Sequence, residues 1–266
     1  GGAQPKASDI PAGTGKIIKF DNEIPTAVST FPANGSYHNW DSLKLGPIRG
    51  TAGDKGKVDR VHVFVKSKNM NAAWKGTYLA TTEDWDDTSA KYAYWSTATY
   101  NNGAWEVAIP SFTPVNNHRI FMWTRAVDKA GNWMPTPTNT QIDDHQNSDG
   151  SAAYSFIYDS SIPQTKVTVP EKYAIANSTG RVSGTSYDGS PEPSGVSEVR
   201  LRLRRSDDKY WDFVNNNWNA AAANTYSTNG TNPWEKIFEK SSQEDGYQYD
   251  FYHFAKDNAL NNSGGA

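Results

Sequence analysis

Along much of the chain, apolar and polar side chains alternate with a period of two. Val58–Val65 reads VDRVHVFV, which sets Val61, Val63 and Val65 on one face and His62 and Phe64 on the other. Val196–Leu203 reads VSEVRLRL, with Val199, Leu201 and Leu203 facing one way and Arg200, Arg202 and Arg204 the other. Successive side chains of a strand point to opposite faces, so this alternation predicts half-buried antiparallel strands. The same reading predicts strands over 43–50, 105–109, 119–127, 153–158, 166–169, 181–185 and 248–256. Turn-forming pairs separate them, among them Gly53-Asp54, Asn102-Gly103, Asp149-Gly150, Asp188-Gly189 and Asp245-Gly246. No long segment carries apolar residues at helical spacing, and Trp218–Asn224 is a short helix-friendly piece. The pattern predicts an all-β chain built from sandwiches.

The pattern occurs twice. Asp21-Asn22-Glu23-Ile24-Pro25 matches Asp159-Ser160-Ser161-Ile162-Pro163, and Pro32 matches Pro170. Gly50-Thr51 with Asp54 matches Gly184-Thr185 with Asp188, and Val58-x-x-Val61 matches Val196-x-x-Val199. Trp105 matches Trp234, and Ala126-x-Asp128-x-Ala130-x-Asn132 matches Ala255-x-Asp257-x-Ala259-x-Asn261. The order is kept while the offset drifts only between 129 and 138 residues, which points to duplication of one unit.

These motifs together resemble the tandem immunoglobulin-like domains of prokaryotic surface and fibre proteins: an Asp-x-x-Ile-Pro entry, a Gly-Thr-x-x-Asp turn, a Val-x-x-Val strand and an Ala-x-Asp-x-Ala-Gly-Asn exit. The second repeat departs at Ala259-Leu260, where the first has Ala130-Gly131. The resemblance implies two immunoglobulin-like β-sandwiches in tandem, used in stalks, fibres or adhesins, with no catalytic residue. The expected division is an N-terminal arm over 1–20, domain 1 over 21–158 and domain 2 over 159–266.

The two extremities do not match. Tyr154–Tyr158 is placed to close domain 1 and leads directly into Asp159, whereas domain 2 reaches Asn261 without a comparable segment. Ahead of Asp21 stands Lys16-Ile17-Ile18-Lys19-Phe20, in which Ile18 and Phe20 align with Phe156 and Tyr158. The second sandwich is therefore expected to lack its own closing strand. An open sheet edge invites pairing with another chain. If Lys16–Phe20 of one copy fills domain 2 of the next, the contact is heterologous and builds an extracellular filament or surface appendage, a head-to-tail homopolymer. The alternative expectation is an adhesin or carbohydrate-binding fragment of a larger surface protein; the Gly1-Gly2-Ala3 start, without Met, suits a processed or excised chain.

In such a sandwich the entry segment and two of the loops share one pole. Asp21, Asp54 and Asp128 are expected there in domain 1, and Asp159, Asp188 and Asp257 in domain 2. Carboxylates on loops suit Ca²⁺, a hard cation that takes six to eight oxygens. Asp143, Asp144 and Asp149 form a further acidic loop near the junction, without an EF-hand spacing because Tyr154 stands where a Glu would be needed.

Composition narrows the rest. The chain of 266 residues carries a net charge of −3, too little positive charge to make nucleic acid a main partner. It contains no Cys, which excludes disulfides, thiolate catalysis and Cys-based metal sites. No apolar run approaches membrane-spanning length. The five His residues form no zinc pair, and no nucleophile elbow or phosphate-binding loop occurs, so the reading is non-enzymatic. Ten Trp residues are present; Trp74, Trp85 and Trp95 in domain 1 are candidates for stacking on a surface glycan if exposed.

Overall fold

The structure, a computed structural model, describes residues 19–39, 41, 47–55, 57–68, 72–74, 85–86, 89–107, 116–171, 180–189, 191–220 and 224–264. Domain 1 contains β1 (Thr26–Phe31), β2 (Tyr37–His38), β3 (Ile48–Gly53), β4 (Val58–Ser67), β5 (Ala72–Trp74), β6 (Trp85–Asp86), β7 (Ser96–Thr97), β8 (Thr99–Asn101), β9 (Ala104–Val107), β10 (His118–Asp128), the short helix α1 (Asn139–Asp143) and β11 (Tyr154–Tyr158). Domain 2 contains β12 (Gln164–Val169), β13 (Arg181–Tyr187), β14 (Val196–Arg205), β15 (Tyr210–Asp212), β16 (Asn217–Ala220), β17 (Tyr226–Ser227), β18 (Trp234–Ile237) and β19 (Tyr249–Asp257). The chain is all-β, two immunoglobulin-like sandwiches in tandem. Among the described residues no helix is long and apolar enough to cross a membrane.

In domain 1 a β1-β3-β9-β8 sheet faces a β2-β11-β10-β4-β5-β6 sheet. The alternation in β4 does what its period demands: Val61, Val63 and Val65 are fully buried between the sheets, beside Ile120, Met122, Trp105 and Phe156. In domain 2 a β12-β13-β18 sheet faces one centred on β14, and Val199, Leu201 and Leu203 pack on Val182, Trp234 and Phe238.

The repeated Gly and Trp are one packing device. Gly50 pairs with Trp105 across β3 and β9, and Gly184 with Trp234 across β13 and β18. Each indole lies over its glycine and donates Nε1–H to the carbonyl of the following threonine, Thr51 at 3.1 Å and Thr185 at 3.2 Å. A Cβ on Gly184 would stand 2.4 Å from the Trp234 ring and 2.0 Å from the Lys166 carbonyl oxygen, so only glycine fits.

Two features depart from the sequence expectation. The other face of β4 and β10 is not solvated: Phe64, Phe121 and Trp123 form a second core under Tyr92, Tyr94, Trp95 and Ile142. Strand periodicity misses this layer because its cover comes from a non-repeating connection and from α1, fixed by the reciprocal capping of Thr138 and Gln141. The second departure is at the start of the helix-friendly piece Trp218–Asn224: Asn217–Ala220 is strand β16, paired with β15, while 221–223 lie outside the described residues. Asp212 accepts N–H bonds from Val214 (2.8 Å) and Asn215 (3.1 Å) and closes the hairpin, while Trp218 packs on Trp211 at 5.1 Å. At Trp218 the tertiary contact of the indole outweighs local helix propensity.

Domain 2 lacks a closing strand among the described residues. In domain 1, β11 lies along β10 and buries Phe156 and Tyr158. In domain 2, β19 pairs with β14 on one side, and no described strand lies on its other side. Its inward residues Tyr249 and Phe251 are consequently only part-buried. Of the arm, Lys16, Ile17 and Ile18 lie outside the described residues, and Phe20 stands 86% exposed.

The glycine requirement is testable within one strand. Gly50→Ala is expected to cost about 1–3 kcal/mol through overpacking. Gly53→Ala, where an added Cβ would meet nothing nearer than 3.9 Å, should stay within about 0.5 kcal/mol. Denaturant midpoints of the two variants make the comparison; equal midpoints would show that the indole yields.

Candidate metal centres at the domain poles

The repeated Asp and Asn residues meet at the entry to each domain. Asp21, Asp54 and Asp128 present carboxylate oxygens within 4.8 Å of one another, and so do Asp159, Asp188 and Asp257. One carboxylate comes from the entry segment, one follows the strand bearing the Gly-Thr pair, and one ends the strand carrying the Ala-x-Asp motif.

The terminal Asn of the motif builds this convergence. Asn261 donates its backbone N–H to Asp257 Oδ1 and its side-chain amide to Asp257 Oδ2, both at 2.8 Å, and the same amide reaches the Asp159 carbonyl at 2.9 Å. Asn132 repeats the arrangement on Asp128, at 2.8 Å twice, and on the Asp21 carbonyl at 3.0 Å. A single amide thus orients the carboxylate and ties the entry segment to the loop after β10 or β19.

The domain 2 centre is the more enclosed. Asp159 and Asp257 are fully buried and Asp188 is 6% exposed, whereas Asp21 and Asp54 are only part-buried. Domain 1 supplies the cover. Asp159 continues directly from β11, and its N–H donates to the His38 carbonyl at 2.8 Å. Asn116 accepts from the Ser160 N–H at 2.6 Å, Asn117 donates to Ser161 Oγ at 3.0 Å, and Glu192 joins Arg119 (3.1 Å) and Lys68. Around the carboxylates the donors are neutral: Ser161 N–H and Ser194 N–H on Asp159, at 2.9 and 2.8 Å, and Gly195 N–H on Asp188 at 2.7 Å. Among the described residues no Lys or Arg forms an ion pair with the three.

Electrostatics differ accordingly. Burial, with the neighbouring carboxylates, pushes Asp188 and Asp257 above the usual Asp range. Asp128 sits below it: burial acts upward there too, but the side-chain and backbone N–H groups of Asn132 and the N–H groups of Gly131 and Ala130 prevail.

The remaining candidates stand apart. Asp143 joins neither cluster; it takes the Nζ of the buried Lys66 at 2.7 Å, with Lys91 at 3.7 Å and the Tyr92 hydroxyl beside it. Asp144 caps α1, and Asp149 accepts from Ser151 at 2.6 Å. Asp143 is thus the counter-ion of a lysine that the second core has covered, and no third acidic centre forms from these residues. The glycan expectation is corrected at Trp74, which is 3% exposed, and Trp95 packs on Phe64 at 5.4 Å; the side chain of Trp85 lies outside the described residues.

No family model matches the chain, and no curated protein matches it. Among solved structures it is similar to the fibronectin(III)-like modules of Clostridium thermocellum CbhA, at 14% identity and a TM-score of 0.34 over 91% of this chain and 90% of that one. It is similar to the chicken CNTN1 FN1–FN3 domains at 12% identity and a TM-score of 0.36, over 91% of this chain and 64% of that one. Against dimeric latent PorU from Porphyromonas gingivalis the figures are 10% and 0.26, over 96% of this chain and 21% of that one.

The raised Asp188 and Asp257 make a sign-specific prediction. A carboxyl with a folded value above its unfolded value adds stability that is full below the unfolded value and lost as pH rises through the folded one. In chelator, the unfolding midpoint of domain 2 should therefore fall as pH rises from the ordinary Asp range through the raised values of these two carboxyls. Asp257→Asn should flatten that decline; a slope unchanged by the substitution would show that the carboxylates are compensated within the protein.

Proposed function

We propose that the chain is a non-catalytic structural module of an extracellular or cell-surface assembly, whose copies join head to tail by strand addition. Lys16–Phe20 of one copy lies along the free edge of β19 in the next, seating Ile18 and Phe20 in the gap between the sheets. The observation that carries this reading is the contrast between the closed β10 edge and the open β19 edge. At the closed edge Phe156 and Tyr158 are 1% and 4% exposed, whereas Phe20, which aligns with Tyr158, stands out in solvent. Seating Ile18 and Phe20 contributes about 1.5–3 kcal/mol each, added to a ladder of main-chain bonds.

Calcium at the two acidic poles belongs to the same reading. The donor set is all oxygen, the charge is uncompensated by Lys or Arg in domain 2, and the site there straddles the joint between domains. Asp159, Asp188 and Asp257 would hold the ion in domain 2, and Asp21, Asp54 and Asp128 in domain 1. The ion would neutralise the clustered charge and stiffen the entry to each sandwich.

Two measurements test this. Millimolar Ca²⁺ should raise the unfolding midpoint at neutral pH and abolish its decline with pH, because the bound form needs ionised carboxylates. A midpoint indifferent to both Ca²⁺ and chelator removes calcium from the reading. For assembly, light scattering of the full chain should show concentration-dependent growth that Phe20→Asp suppresses and a free peptide of residues 14–21 competes away. Growth unaffected by both would exclude Lys16–Phe20 as the donor.

A further inference from the structure

We propose that the entry pole of domain 1 docks on the Asp245-Gly246 turn at the far end of domain 2 in a second copy of this chain, repeating between molecules the joint that exists within one. The inference rests on the head-to-tail reading above and adds a second contact to its strand addition.

The joint inside the chain supplies the template. β11 runs straight into Asp159, and the turn ahead of β10 meets the entry segment of domain 2. Asn116 accepts from the Ser160 N–H at 2.6 Å and donates to Ser161 Oγ at 2.8 Å. Asn117, in the left-handed region at φ 60°, lies against Gly189, where a Cβ would stand 2.4 Å from the Asn117 Nδ2.

The far end of domain 2 carries the same turn without a cover. Ala126 pairs with Val61 across β10 and β4 as Ala255 pairs with Val199 across β19 and β14. Carried along both strands, this equivalence puts Asp245-Gly246 where domain 1 has Asn116-Asn117, and Ser206 and Gln248 where it has Lys68 and Arg119. The backbone agrees. The Ser206 N–H donates to the Gln248 carbonyl at 2.9 Å, as the Lys68 N–H does to that of Arg119 at 3.0 Å, and Gly246 has φ 81°. Asn117 is buried against domain 2, whereas Asp245, Gly246 and Tyr247 are exposed.

The entry pole of domain 1 is the other half. Asp21 accepts from the Glu23 N–H at 3.2 Å as Asp159 does from that of Ser161 at 2.9 Å, so the two entry segments share one turn. Asn22 stands in the place of Ser160, and Lys55, which follows Asp54, in that of Gly189, which follows Asp188. The exchange is complementary in size and charge. Where the inner joint sets Asn117 against Gly189, the outer one sets Gly246 against Lys55. The Lys55 side chain is 82% exposed and pairs with Glu23 at its own pole; Asp245 brings a second carboxylate to it. A surface pair of this kind fixes register more than affinity, which the added strand supplies.

The chain has no Cys, so introduced cysteines report the contact directly. An equimolar mixture of Asn22→Cys and Asp245→Cys chains, under mild oxidant, should give a disulfide-linked heterodimer by mass spectrometry. Asn22→Cys with Ser148→Cys, on the exposed loop after α1, should not. In light scattering, Lys55→Glu or Asp245→Lys alone should weaken growth about fivefold, and the two together should restore it. Binding of the peptide of residues 14–21 to the full chain, measured in parallel, separates the two readings. Peptide binding with neither heterodimer nor charge rescue overturns the docking and leaves strand addition standing. If the peptide does not bind, strand addition fails and the docking falls with it.

Discussion

Three carboxylates gathered within 4.8 Å repel one another, and both domains are organised around holding them there. The work falls on a single amide in each: Asn132 and Asn261 bracket the last Asp and reach back to the entry carbonyl. Because that amide joins the first residue of the domain to the loop after β10 or β19, the acidic pole also pins the entry of each sandwich to its central sheet. Desolvation makes the constraint tighter in domain 2, where domain 1 sits over the cluster and removes the water that would otherwise screen it. The joint between domains and the charge at the pole are therefore coupled: whatever neutralises the second also favours the first.

This pole was legible in the sequence because every residue that builds it is a turn residue with one chemical task. Asp, Asn and Gly at fixed order report backbone geometry directly, and duplication printed the pattern twice. Gly184 with Trp234 was visible for the same reason, as a match in order, although the close approach that makes glycine obligatory appears only when the strands are paired. The inward faces of β4 and β14 were equally plain, since burial between two sheets leaves a period of two.

What escaped was everything held by partners far away in sequence. Lys66 reads as the polar end of an alternating strand, yet it is 1% exposed, because a connection without a repeat counterpart folds over it and brings Asp143. Trp218 sits in an alanine-rich run, and nothing local announces that Trp211, Phe238 and Tyr249 wait to receive its ring. The acidic loop failed as a site for the converse reason: Asp143, Asp144 and Asp149 are close in sequence, but α1 and its following turn send them to separate partners.

The two repeats solve the same outer-face problem in different ways, and the difference locates where this chain is open. In domain 1, β4 presents Phe64 and Lys66 outward, and a second core covers them, with Arg125 held 4.2 Å from Trp95 and 5.2 Å from Trp133 at its margin. In domain 2 the corresponding positions of β14 are Arg202 and Arg204, and no such layer forms among the described residues. Arg202 instead lies 4.6 Å from the ring of Tyr252 and 5.5 Å from Phe254, so aromatic faces of β19 are covered by a guanidinium that tolerates water. A sheet protected in this way needs no extra layer. In domain 1, by contrast, the outward residues of β4 are apolar or buried, and only a packed layer keeps them from water.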